Sequence, residues 1–258
     1  MNFFGKHPAA ALLVVAALCY LAFFHALGNY PLWDPDEGRS GLIAKEMLDS
    51  GTWSAPTLHG KPYYDKPAPY FWLLAAGLKT LGFNELALRL PSAVAASLTV
   101  ILVYLWASLF WGWGRGLWAG LVLVGSVEFV VLGRFAKMDM VFSFFFTAAL
   151  LFFWWWKEHT KRTGWIWPLY LFLALAALAK GPVGLLLPLL IVVLTLVVAG
   201  CDFCRSCRHR EGSSQRKVDT FSDRLLLPLV VSVVLREQGT RAFRDRGRAE
   251  LRRDGQRG

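Results

Sequence analysis

The sequence predicts an all-α polytopic membrane protein with about six transmembrane helices, an outward loop carrying interfacial helices, and a basic tail. Three observations predict it. Hydrophobic residues make up 55% of the 258 and charged residues only 18%, a balance suited to a bilayer rather than to water as solvent. Apolar runs of about 18 to 25 residues recur, the length a helix needs to cross about 30 Å of hydrocarbon. Basic residues in the short connections gather on one side, as the cytoplasmic bias of Lys and Arg requires.

The first run, 8–28, follows Lys6. Its apolar stretch is too long for a signal peptide and no clean small-residue cleavage site follows, so it reads as an uncleaved first span. The others cover residues 87–110, 117–132, 140–156, 165–179 and 182–199, the shorter of them marginal for a span. With all six spanning, Lys6, Arg115 and the cluster Lys157, Lys161 and Arg162 share the cytoplasmic side, which places the amino terminus there in a multi-pass membrane protein. The loop 29–85 then faces outward, with the turns 133–139 and 180–181. Trp111, Trp113, Trp154 to Trp156, Trp165 and Trp167 stand near run ends and read as interface belts.

After Gly200 the character changes. Half of the 28 Lys and Arg residues follow it, and the one apolar patch there, 225–235, is too short to span. Cys201, Cys204, Cys207 and His209 have a spacing that presents thiolates and an imidazole to zinc. No second ligand cluster and no apolar core accompany them, so 201–258 reads as a disordered Arg-rich tail attracted to anionic headgroups, or as the product of a shifted reading frame or truncated gene. Two parts are expected: 1–200, a transmembrane part with its outward loop 29–85, and 201–258, the tail.

The outward loop has the grammar of a helix start. Asp34 suits a cap, Pro35 the first helical position, and Glu37 the third place of a capping box. Leu42, Ile43, Met47 and Leu48 share a face opposite Lys45, Glu46 and Asp49, which predicts a helix lying along the membrane surface. Asp36 and Arg39, three residues apart, fall on one side of that helix, so the carboxylate is held ionised as a general base requires. Residues 61–69 pack three prolines and two tyrosines around Asp65 and Lys66, an extended loop rather than a helix or strand. The apolar segment 70–81 is too short to span and reads as re-entrant or interfacial.

Arg134, Lys137 and Asp139 occupy one outward turn and Lys180 another. Ionisable residues at span ends are site candidates by default, with snorkelling to headgroups the plainer alternative for Arg134 and Lys180. Glu128 lies near the outer end of its run, facing either a cavity or a neighbouring helix. Together the carboxylates and cations suit transfer of a group away from a membrane-bound phosphate: the cations stabilise the leaving phosphate and a carboxylate takes the acceptor's proton.

Several motifs occur in one order: Trp33-Asp-Pro-Asp36-Glu37-x-Arg39, then Ala44-Lys-Glu46-Met-Leu-x-Ser50-Gly51-x-Trp53 with Pro56, then Tyr63-Tyr-Asp65-Lys66-Pro67, Asp139 and Lys180-Gly181. In these, residues 1–200 resemble the amino-terminal half of the bacterial aminoarabinose lipid A transferases and the wider GT-C group of membrane glycosyltransferases, protein mannosyltransferases among them. The resemblance implies a polyprenyl-phosphate-linked sugar donor and inverting transfer to a lipid A, glycan or protein acceptor on the periplasmic side. It implies Asp36 as catalytic base, within a modified D-x-D of Asp34, Pro35 and Asp36. Lys66 and Lys180 are similar to the donor-phosphate cations, Tyr63 and Asp65 to their neighbours, and Asp139 to a second acid. Glu37, Arg39 and Arg134 complete the expected substrate-binding set.

The group's members have more spans and a periplasmic carboxy-terminal domain, and Asp65 stands where the group's Tyr-x-Glu-Lys-Pro has a longer acid. No cofactor is expected, a divalent metal is not predicted, and no nucleic acid partner is implied. Two other readings remain open. A transporter of lipid-linked sugars would carry mid-membrane charges and paired broken helices, whereas most charges here sit at span ends. A non-catalytic fragment would account for the change after Gly200.

Overall fold

The computed structural model describes residues 8–32, 35–159 and 167–208, and the statements below concern those residues. Helix α1 (Pro8–Cys19) widens into a π-helical turn at Tyr20–Phe24, after which the chain turns through Ala26 at φ 54°. Helix α2 (Asp36–Ser50) stops at Gly51, whose φ of 67° is left-handed and suits a residue without a Cβ. A hairpin of β1 (Thr57–Leu58) and β2 (Lys61–Pro62) follows, with Leu58 opposite Lys61. Its turn residues, His59 and Gly60, have φ of 54° and 71°, the two positive values of a type I′ turn.

Helix α3 (Ala68–Leu81) leads into α4 (Glu85–Trp111), where Asn84 caps the start by accepting the Ala87 amide at 2.7 Å. Then come α5 (Trp113–Gly125), α6 (Val127–Arg134), α7 (Met138–His159), α8 (Trp167–Lys180) and α9 (Pro182–Arg208).

Helix α4 is the centre of the fold, packing against α1, α3, α5, α6 and α7. Small residues on it, Ala87, Ala93, Ala96 and Ala107, are fully buried, and such residues let helices approach closely where no water drives them together. The hydroxyls of Ser97 and Thr99 bond the carbonyls four residues back, at 2.9 and 2.7 Å, so each is satisfied within its own helix. Pro91 has no N–H to give to the Ala87 carbonyl, and Gly77 of α3 packs there: a Cβ at Gly77 would stand 2.6 Å from that oxygen. Antiparallel α7 and α8 lock through Phe144, Phe145 and Phe152 around Phe172.

The fold is the expected helical membrane architecture, with corrections. Among the described residues two helices are long and apolar enough to cross a bilayer, Glu85–Trp111 and Met138–Lys157, and a third if α5 and α6 count as one, so two or three of the six expected spans are supported. The run expected to be continuous over 117–132 is instead bent by 67° between those two helices. The break falls at Gly125 and Ser126, with Ser126 in an extended conformation, a usual place for a kink. The expected strand-free loop gives way at Lys61–Pro62 to β2, because the Glu46 carboxylate gathers the hairpin by accepting from Thr57 Oγ1 (2.7 Å) and the amides of His59 (2.7 Å) and Gly60 (3.3 Å).

The chain divides into two units, Met1–Leu189 and Leu190–Gly258. The tail beyond Arg208, with His209 and the patch 225–235, lies outside the described residues, as do the side chains of Cys201, Cys204 and Cys207.

Candidate active site

Asp36 is the first residue of α2, where the free N–H groups of a helix start favour a negative charge. Its Oδ1 lies 3.8 Å from Arg39 Nη1 on the next turn and 3.9 Å from Lys66 Nζ, which arrives from the loop before α3. All three side chains are part-exposed, at 34%, 39% and 23%. The carboxylate therefore stays open to an incoming group while two cations stand beside it.

Pro35 is the N-cap residue and makes no side-chain cap bond, and Asp34, the cap expected from the sequence, lies outside the described residues. Glu37 turns inward. It is 1% exposed and meets Arg89, itself 0% exposed, in a two-pronged pair with Nε–Oε1 at 3.1 Å and Nη2–Oε2 at 2.8 Å. Arg89 also donates to the carbonyls of Leu27 (3.1 Å), Tyr30 (2.8 Å) and Pro31 (2.9 Å), and its guanidinium lies 3.8 Å from the Tyr30 ring centroid. All five N–H donors of the arginine are thereby placed. Glu37 Oε1 further accepts the Ala136 amide at 2.7 Å. The face of α2 that carries Glu37 continues through Ser40, Ile43, Ala44 and Met47, all buried, and α2 packs on α3. Leu42 and Leu48, expected on the apolar face, are half-buried at its edge.

Asp139 sits in the first turn of α7 and Lys180 in the last turn of α8. Their charges meet at 2.9 Å, with the Lys180 ammonium 4.6 Å from the Phe142 ring centroid. Tyr70 lies on α3 and is 2% exposed. Burial pushes its phenol up from the ordinary value, with Asp139, Glu37 and Asp36 adding to the rise and the Ser92 hydroxyl opposing it.

Arg134 faces the π-helical turn that follows α1, donating to the carbonyls of Ala22 and His25 at 2.9 Å each, and its own carbonyl accepts the Tyr30 hydroxyl at 3.2 Å. Tyr63 packs edge-on to Phe71 with centroids 6.2 Å apart, while Asp65 is exposed. Among the described residues no cluster of three or more His, Cys, Asp or Glu is placed to hold a metal ion.

The structure thus brings Asp36, Arg39 and Lys66 together, and Asp139 with Lys180. Sequence reasoning passes over Arg89, although an ionisable residue inside an apolar run is the kind that calls for a functional reading. It also passes over Tyr70 and Ser92, whose importance lies in tertiary neighbours.

Comparison with known proteins bears on this arrangement. Residues 10–235 match the family model described as dolichyl-phosphate-mannose-protein mannosyltransferase. The undecaprenyl phosphate-α-4-amino-4-deoxy-L-arabinose arabinosyl transferase of Pseudomonas savastanoi pv. phaseolicola is 40% identical over 126 residues, 49% of this chain and 23% of that protein. The protein of the same description from Pseudomonas aeruginosa strain LESB58 is 32% identical over 193 residues, covering 73% and 34%. An uncharacterised protein of Aquifex aeolicus is 32% identical over 187 residues, covering 72% and 37%. The crystal structure of ArnT from Cupriavidus metallidurans bound to undecaprenyl phosphate aligns with a TM-score of 0.67 and 26% identity, over 86% of this chain and 39% of that one. The chain therefore spans between 23% and 39% of the length of these relatives.

Proposed function

Because this chain belongs to the dolichyl-phosphate-mannose-protein mannosyltransferase family, we propose that it moves a sugar from a polyprenyl-phosphate carrier to a lipid A, glycan or protein hydroxyl on the periplasmic side of the bacterial inner membrane. The observation that carries the reading is the Asp36 carboxylate at a helix start, part-exposed, with Arg39 and Lys66 within 4 Å. On this reading the amino terminus is cytoplasmic, residues 29–85 face outward, residues 1–200 carry the chemistry and 201–258 form a basic tail.

The transfer is a displacement at the sugar's anomeric carbon. The acceptor oxygen forms a bond to that carbon as the bond to the phosphate oxygen breaks, and the bonding electrons leave on the phosphate. Asp36 takes the acceptor's proton. Lys66 and Lys180 turn from their carboxylate partners toward the donor phosphate and neutralise the charge it gains, the electrostatic share of catalysis. When those cations turn, Asp36 and Asp139 are left with acceptor capacity for hydroxyl protons and sugar hydroxyls. Arg39 orients Asp36, Tyr63 and Asp65 border the donor, and Arg134 anchors the π-helical turn after α1 beside it. The carrier's chain lies in the groove between helices.

The test is Asp36→Asn, assayed in membranes supplied with a polyprenyl-phosphate-linked sugar. Transfer falls by about 10²- to 10⁴-fold, the usual worth of a positioned base, while expression and membrane insertion are unchanged. Transfer retained at the original rate would remove Asp36 from the role of base.

A further inference from the structure

We infer that Arg89, acting through Glu37 and alongside Ser92, is a positioning residue that holds the two acid centres, Asp36 and Asp139, in register with one another; this rests on the transfer reading above. Asp36 and Glu37 are adjacent at the start of α2, whose N-cap residue, Pro35, makes no side-chain cap bond. The first turn is located by Glu37, which enters the interior and takes two N–H groups of Arg89. The other three donors of Arg89 gather the carbonyls of Leu27, Tyr30 and Pro31. One guanidinium thus ties the end of the α1 segment, the approach to α2 and the start of α2 to α4.

The same turn of α4 reaches the second acid. Glu37 Oε1 accepts the Ala136 amide at 2.7 Å. Ser92, three residues beyond Arg89, donates to the Lys137 carbonyl at 3.1 Å and accepts the Lys137 amide at 3.3 Å. Ala136 and Lys137 are the residues just before α7, and Asp139 is the second residue of that helix. A shift of the Glu37–Arg89 pair is therefore passed to both acids at once.

Burial supplies the reason for reading this as positioning rather than as stability alone. Both members of the pair are 1% exposed or less. Two buried charges cost more to desolvate than a well-packed apolar pair of the same volume, so stability by itself does not call for them. What a fork of fixed donors supplies that apolar contacts do not is a single geometry. Arg89→Lys keeps the charge but offers a compact ammonium with no fork, so it cannot meet five acceptors.

The experiment is hydrogen exchange of the whole chain in nanodiscs, read by mass spectrometry, for Arg89→Lys and Ser92→Ala. In Arg89→Lys, peptides over 27–40 and over 134–139 exchange faster together, by about tenfold or more, while those over 98–110 and 142–154 keep their rates, a local rather than a global opening. In Ser92→Ala only 134–139 speeds up. Exchange rising in 27–40 alone, or evenly along the chain, overturns the coupling. If Arg89→Lys does not insert, Ser92→Ala decides, and an unchanged 134–139 in that variant overturns it. In the transfer assay both variants lower kcat by about tenfold or more with the donor KM within about twofold, the mark of impaired orientation rather than impaired binding. A fall accounted for by less folded protein overturns the positioning role. If the unaltered chain transfers no sugar, the transfer reading fails, and the exchange pattern still decides whether Arg89 couples the two centres.

Discussion

Lys180 Nζ lies 2.9 Å from Asp139 Oδ1, joining the last residue of α8 to the first turn of α7. Each charge also stands at the end of its own helix where the backbone dipole favours it, the acid at an N-terminus and the base at a C-terminus. The lysine side chain is 5% exposed and the aspartate 19%, so neither is freely solvated. Such a pair is strong in the sense that breaking it strands a charge.

Lys180→Met is therefore expected to destabilise the protein by about 2 to 3 kcal/mol, because it leaves Asp139 without its cation in a site shielded from water. The double variant Lys180→Met, Asp139→Leu regains part of that loss. Unfolding of the single and double variants in detergent measures the coupling. Additive effects would show that the two charges do not support each other.

Glu46 makes a pH prediction. The Thr57 hydroxyl, followed by the Gly60 and His59 amides, holds its carboxyl below the ordinary value of 4.5. A group whose folded pKa is depressed stabilises the fold above its unfolded value, and that contribution is lost as pH falls through the folded pKa. Protection of the His59 and Gly60 amides, corrected for intrinsic exchange, should hold at neutral pH and decline below about pH 4.5, where an unfolded carboxyl protonates. Glu46→Gln should show weakened protection with no such decline, as followed by hydrogen exchange.

Gly77 separates two opposing effects of an added methyl. Glycine to alanine inside a helix gains about 1 kcal/mol in propensity. At Gly77 the new Cβ would stand 2.6 Å from the Ala87 backbone oxygen, and prying α3 from α4 costs about 1 to 3 kcal/mol. The clash wins, so Gly77→Ala is expected to lower the melting temperature. Gly114→Ala, with nothing within 4 Å of its Cβ, should leave it unchanged or raised. Equal melting temperatures for the two variants would mean that α3 yields without cost.

How much of this is legible in the sequence depends on whether a feature is local. The apolar run 140–156 corresponds to the helix Met138–His159, because apolar length alone decides where such a helix lies. The pairing of Asp36 with Arg39 is legible too, since residues three apart on a helix face each other. Lys66, Asp139 and Lys180 stand out as site candidates, but which cation meets which acid is tertiary and has no local trace. Glu37 reads as a cap, and its pairing with Arg89, 52 residues away in sequence, leaves no local trace. The bend at Ser126 is invisible to hydropathy, which averages across a break that leaves composition unchanged.

Arg39 and Lys66 hold Asp36 only loosely. Their distances of 3.8 and 3.9 Å and exposures of 39% and 23% make both pairs loose and partly solvated. Exposed pairs of this kind contribute about 0 to 1 kcal/mol, so stability does not explain their presence. Lys66→Gln is accordingly expected to shift unfolding by less than about 1 kcal/mol. The same substitution removes a charge that the proposed chemistry turns onto a phosphate, and deleting a charge-assisted hydrogen bond to a phosphate costs about 1.5 to 3 kcal/mol. Affinity for undecaprenyl phosphate, measured by native mass spectrometry or by thermal shift with added lipid, should therefore fall by about 10- to 100-fold. Arg39→Gln, which removes the cation on Asp36's own helix, should leave that affinity within about threefold and lower transfer instead, by disordering the base. A Lys66→Gln protein that binds the lipid phosphate as before would leave Lys66 as a partner of Asp36 alone and take it out of the donor site.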